Sequence, residues 1–380
     1  MEQPKYTFTG VTKDQVFFCG RLHQIKAVRD FGTIKKGTVG GWIASERNLS
    51  HNGDAWVSDN AIVCNYATVS DNAKIFGDAL IYGHAKIYGN ASVYDSARVY
   101  NRAKVYDSAK IYDSAKAHDD AKIYGHALIF GDAKIYGNAS VYDSASVYDR
   151  AKVYNSASVY DSAKIYDSAK ISGNALIYNS AKISGNAEIS DNTNISGHAM
   201  IHGHAKIYGH AKIADNAQIY DSAKVYEHAT VYGNAKIYDS AKIYEHATVY
   251  DRAKVYDSAK VYGNVKVYDS AKIYRNAKVC SHNMAHIKVD VFNGSKNFCK
   301  LGAYWNNYNY NYAKVNVPSY TLASGDTNVF NFSHQILDDT EILSNSLHHY
   351  LDQGWGVVGF VFFVILILGF LLSQKFKRSE

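Results

Sequence analysis

From residue 57 to residue 279 an aliphatic side chain stands at every sixth position, from Val57, Val63, Val69 and Ile75 through to Val279. Of these 38 positions 37 are Val or Ile, with Ala117 the exception, and Ala stands two residues earlier in 36 of the 38, Thr193 and Val265 excepted. Period six excludes an amphipathic helix, whose apolar residues recur at three and four. It also excludes a plain ladder of hairpins, whose turns follow longer strands. Within Ala-Lys-Ile-Tyr the alternation has period two, so Ala and Ile face one way and Lys and Tyr the other. The pair that follows is turn chemistry: Asp-Ser, as in Ile165-Tyr166-Asp167-Ser168-Ala169-Lys170, or Gly-Asn. Such residues tolerate positive φ. Each hexad therefore predicts one short strand and one corner. Three hexads close a triangular coil, and stacked coils bury the Ile and Ala columns that a single coil leaves open.

Units such as Val69-Ser70-Asp71-Asn72-Ala73-Lys74 and Ile213-Ala214-Asp215-Asn216-Ala217-Gln218 resemble the hexapeptide repeat of left-handed parallel β-helix proteins. The resemblance implies an all-β, single-stranded left-handed parallel β-helix. The Gly or acidic residue usual after the aliphatic in that family is here Tyr in 25 of 38 hexads. A second likeness lies upstream, where Ile25 to Val57 (IKAVRDFGTIKKGTVGGWIASERNLSHNGDAWV) looks like the entry to the bacterial YdcK-like hexapeptide-repeat proteins. Those are labelled transferases by their fold, and fold does not fix function.

The 38 hexads predict 12 to 13 coils over residues 51–280, a rod about 60 Å long at about 4.8 Å per coil. Its open ends would expose strand edges. Residues 1–50, with the Gly-rich run Gly37-Thr38-Val39-Gly40-Gly41-Trp42, are expected to cap one end. Residues 281–332 are expected to form a β-rich cap at the other, with strands at His286–Val291 and Asn307–Tyr312 and the six-residue register lost. Ile336, Leu337, Leu343, Leu347, Tyr350 and Leu351 fall on one stripe, predicting an amphipathic juxtamembrane helix over 333–353.

From Trp355 to Leu372 the chain runs 18 residues without a charge, enough to span a hydrocarbon core about 30 Å thick. A transmembrane helix is expected over 355–373, with Trp355 at the interface and Phe360, Phe363, Ile365, Leu368 and Leu372 in the apolar span. The tail 374–380 supplies Lys375, Lys377 and Arg378 as a basic flank. The first twenty residues carry neither a basic start nor an apolar run of seven, so no cleaved signal is expected. A tail anchor with the N-terminal rod in the cytoplasm fits both features.

The net charge of +6 comes from Lys interleaved with Asp, not from a basic block along the chain, so no nucleic-acid partner is expected. The four cysteines, Cys19, Cys64, Cys280 and Cys299, show no CxxC spacing. They read as reduced thiols of a reducing compartment.

Many hexapeptide-repeat proteins are acyltransferases, and the resemblance brings that activity forward as one alternative. No loop interrupts the hexads to shape a pocket, and the repeat has no phosphate loop, nucleophile elbow or zincin motif. No catalytic residue and no cofactor are expected. His210, His228 and His246 are eighteen apart and stack on one corner, the weak candidates for a metal site. Residues 221–238 and 239–256 match at 14 of 18 positions, so a duplicated coil accounts for the stack without a ligand. The Tyr and Lys columns are the broadest feature. They predict a membrane-anchored scaffold or spacer whose faces contact a protein partner or further copies of the chain. An envelope- or carbohydrate-binding module is the other alternative.

Overall fold

The structure, a computed structural model, describes residues 4–14, 18–288 and 290–292. Each hexad up to Val255 forms one two-residue strand, Lys74–Ile75 and Leu80–Ile81 being typical. Each of these strands pairs in parallel with the strand eighteen residues on, as Val57 with Ile75, Ile75 with Val93 and Val93 with Ile111. Three hexads therefore make one coil of an all-β parallel solenoid with three faces. The first face carries the Val57 column, the second the Val63 column and the third the Val69 column. The first face is a sheet of 14 strands ending at Val291–Phe292. The other two faces join where the strand Lys260–Val267 crosses the corner between them.

Both inward residues of each hexad disappear from solvent: Ala73, Ile75, Ala79 and Ile81 are all 0% exposed. Aliphatic and Ala side chains alternate down the interior and fill it, and burial of each Val or Ile contributes about 1.5–3 kcal/mol. The third residue of each hexad takes positive φ at every corner from Asp59 to Arg275. That explains the choice of Gly, Asp and Asn there, since these residues enter the left-handed region at least cost.

The N-terminal cap is an antiparallel sheet of β1 (Tyr6–Lys13), β2 (Leu22–Ala27) and β3 (Val39–Ile43). Strand β3 then lies parallel to Ile62–Val63, so the cap is continuous with the second face and covers its first edge. The coil begins before the hexads are regular. Ile43 sits on Val63 and Leu49 on Val69, twenty residues apart, before the spacing settles to eighteen at Val57. The two extra residues fall between Leu49 and Val57. Asn48 closes this junction from inside: its side-chain amide donates to the carbonyls of Asn65 and Ala67 at 3.0 and 2.8 Å. Lys5 is buried beneath the cap, donating to the Gly53 carbonyl at 3.2 Å, and burial pushes its ammonium pKa down to about 8.

At the far end the register slips and recovers. Val261 pairs with Val279, Val265 with Ala285, and Ile273 with Val291. The expected strand at His286–Val291 is thus found in two pieces, Lys278–Ile287 and Val291–Phe292, and Val291 rejoins the eighteen-residue stack. This adds a coil to the number expected from the hexads alone. The predicted strand at Asn307–Tyr312 and the helices over 333–353 and 355–373 lie outside the described residues.

The thiols correct the reading from spacing. Cys19 and Cys64 form a disulfide, and Cys280 is disulfide-bonded as well. Cys19 and Cys64 are 45 residues apart, but the cap folds back on the first coil and seats both beside Leu22, Trp42 and Leu80. Spacing along the chain carries no trace of that approach.

Candidate interaction surface

Three aromatic ladders run up the corners. Phe76, Tyr94 and Tyr112 begin one, with ring centroids 4.6 and 4.9 Å apart and planes within 3°. Tyr82–Tyr100 at 4.7 Å and Tyr88–Tyr106 at 4.9 Å begin the other two. Each ring covers its neighbour's face, so edges and hydroxyls point to solvent. A sugar laid flat on one of these rings would find its place taken by the next ring. Burial, followed by neighbouring Tyr groups, pushes the Tyr106, Tyr142, Tyr226 and Tyr238 phenols up to about 12.

All three ladders stop at one height. Ser184 interrupts the first, Ser172 and Ser190 the second, Ser196 and Ala214 the third. They resume at His202–Tyr220, Tyr208–Tyr226 and Tyr232–Tyr250. The same band holds the one ion-pair triad on the faces among the described residues. Glu188 meets Lys170 at 3.1 Å and Lys206 at 2.8 Å, and these hydrogen bonds hold its carboxyl below the usual range. An open cavity of about 340 Å³ lies here, lined by Ser168, Lys170, Asn186, Glu188, His204 and Lys206. It is near the lower bound for a ligand pocket. Among the described residues His204 makes no hydrogen bond or ion pair with Glu188. Leu176 and Met200, each 37% exposed, replace Lys on the neighbouring faces.

The eighteen-residue coil sorts charges that alternate along the chain. On the second face, eleven outward positions run from Arg98 to Lys278, and ten carry a cation, Glu188 being the exception. The equivalent eleven from Ser92 to Lys272 on the first face hold six, and those from Lys86 to Lys266 on the third hold five. A basic row therefore does exist, and it was hidden because its members are eighteen residues apart. Apart from Lys170 and Lys206, no cation in this row has a carboxylate within ion-pair distance among the described residues.

His210, His228 and His246 do stack, with centroids 4.9 and 5.1 Å apart and planes within 8°. Stacked imidazoles aim their in-plane lone pairs in parallel instead of converging on one ion. Among the described residues no group of three His, Cys, Asp or Glu is placed to hold a metal. No helix among the described residues is long and apolar enough to cross a membrane. Trp355, Phe360, Phe363, Ile365, Leu368 and Leu372, with Lys375, Lys377 and Arg378, lie outside the described residues.

Neither a protein-family model nor a curated protein matches this chain.

Proposed function

We propose that this chain is a non-enzymatic, membrane-tethered rod, a scaffold or spacer whose repeated Tyr and Lys faces contact a protein partner or further copies of itself. The observation that carries this reading is the uninterrupted stack. Strands from Trp56–Val57 to Val291–Phe292 follow one another on the first face with no loop extruded between coils. The interior columns are solvent-free throughout, so what the rod offers is length and repeated surface. The left-handed coil and the kinship with YdcK-like proteins rest on the resemblance of the hexads and of Ile25–Val57.

The tether rests on the uncharged run from Trp355 to Leu372 and the cations Lys375, Lys377 and Arg378. Tail anchoring with a cytoplasmic rod is the first orientation such a tether allows. The Cys19–Cys64 disulfide favours a second orientation, with the rod on the oxidising side and the basic tail in the cytoplasm. Fractionating cells that make the full chain or a truncation after Gln353 tests the tether, and protease protection with thiol labelling of sealed cells tests the side. The full chain should resist a high-salt wash while the truncated chain becomes soluble and keeps its β-sheet signal. A truncated chain that still pellets after that wash would move the membrane contact elsewhere.

A further inference from the structure

The second face and the corner opposite to it carry opposite charge. In a three-sided coil the face of the Val63 column lies across from the corner between the third and first faces. Of the twelve left-handed positions on that corner, from Asp71 to Asp269, seven are Asp and none is a cation. Asp71, Asp107, Asp143, Asp215 and Asp251 are exposed. The coil therefore has an acidic edge across from its cationic face, both repeating at the strand spacing of about 4.8 Å. A second acidic edge, with eight Asp among the thirteen left-handed positions from Asp59 to Arg275, borders that face.

Like charges directly opposite on neighbouring strands destabilise a sheet. Ten cations in one line, with only Glu188 among them, impose that repulsion along most of the rod. An acidic row placed over them would offset it. A partner must match their spacing over many coils, and the row that does so by construction is the acidic edge of another copy.

We propose that rods of this chain associate side by side, the acidic edge of one copy seated on the cationic face of the next. Because the two surfaces differ, the contact is heterologous and does not close, and it extends into a row of parallel rods. Each exposed pair is weak and screened by salt, so the contact depends on many pairs in register. The proposal rests on the reading of the rod as a contact scaffold and names the partner.

The test is sedimentation velocity of the full-length chain in neutral detergent, at about 50 and about 500 mM salt, on either side of physiological screening. Wild-type protein should associate with rising concentration at low salt and dissociate at high salt. A face variant (Lys134→Glu, Lys152→Glu, Lys224→Glu, Lys242→Glu) should associate at least tenfold more weakly. An edge variant (Asp107→Asn, Asp143→Asn, Asp215→Asn, Asp251→Asn) should lose association as well. Asn179 occupies the same corner with positive φ, so the edge variant retains an accepted corner residue. Circular dichroism like that of wild type shows that each variant is folded. A monomer at every salt, or association that survives in both variants, overturns the proposal. So does a wild-type monomer that binds anionic vesicles or duplex DNA through the lysine row. None of these outcomes changes the fractionation result, so the tethered rod stands or falls separately.

Discussion

Asp107 accepts a hydrogen bond from the backbone of the coil that follows it: its Oδ2 takes the N–H of Gly125, eighteen residues on, at 3.1 Å. Asp59 does the same for Gly77 at 3.0 Å and Asp257 for Arg275 at 2.7 Å. The corner residue thus has two tasks, to adopt positive φ and to satisfy the corner amide next to it. Gly performs the first and Asp performs both.

Substitution at Gly125 separates the two tasks. Gly125 has φ 68°, and a Cβ there would meet the backbone nitrogen of Asp143 at 2.7 Å, whereas Asp107 takes the corner at φ 55°. Gly125→Ala pays the left-handed penalty without a new acceptor and should lose about 1–2 kcal/mol. Gly125→Asp should relax toward the geometry of Asp107 and regain about 1 kcal/mol through its carboxylate. Amide exchange in the two flanking coils reads the difference. Equal protection in the two variants would remove the carboxylate from the account of the corner.

The Tyr ladders predict an alkaline limit. Burial first, then neighbouring phenols, raises Tyr106, Tyr142, Tyr226 and Tyr238 to about 12. A phenol whose folded pKa is raised binds its proton longer in the folded chain than in the unfolded one. Its contribution is complete below the unfolded pKa of about 10 and is lost as pH rises through about 12. Melting temperature should therefore fall between pH 10 and 12, and absorbance at the tyrosinate band should lag that of the unfolded chain. Coincident titration curves for folded and unfolded protein would contradict the ladder geometry.

Thr193 holds the inward place that Ala fills in 36 of 38 hexads. It is 1% exposed, and its hydroxyl has no hydrogen-bond partner. A buried hydroxyl left unpaired costs about 1–3 kcal/mol. Thr193→Val keeps the volume and removes that group, and Val265 shows that the column accepts Val at 0% exposure. The variant should gain about 1 kcal/mol or more in denaturant melts. No gain would mean that the hydroxyl is satisfied in solution.

What the sequence discloses is what repeats. The inward columns, corners and Tyr ladders all follow from the period of six, because each strand needs only its own hexad to fix its direction. The chain hides relationships across folds of unequal length. The two residues inserted between Leu49 and Val57, the Asn48 plug and the Cys19–Cys64 bond each depend on how the cap folds back. The cationic face was hidden for a different reason. Lys134 and Lys152 are direct neighbours on stacked strands, yet an Asp lies between them in sequence, at Asp143 and again at Asp149.

The stack also predicts how the rod tolerates shortening. Deleting residues 221–238 removes one coil and joins Tyr220 to Asp239. Val255 then lies on Ile219 and His246 on His210, so every later hexad keeps its face. Nearest-neighbour contacts are conserved in kind and reduced by one layer, and the melting temperature should change by only a few degrees. Deleting residues 221–232 removes fewer residues but two hexads. Each later strand then moves to a neighbouring face. Lys242, Lys260 and Lys278 leave the cationic row while Lys236, Lys254 and Lys272 move into it from the first face, and the crossing strand Lys260–Val267 is carried to a different corner. The hexads still stack, so this variant should fold. The irregular coil around Ser281–Ala285 keeps its pairing with Lys260–Val267, since both lie beyond the deletion, so the two deletions should melt within a few degrees of each other. Its lysine row keeps nine cations, as many as the eighteen-residue deletion keeps, so the two variants should associate about equally at low salt. A twelve-residue deletion that melts well below the eighteen-residue one would show that the three faces are not interchangeable, and loss of association in that variant alone would place the contact outside the lysine row.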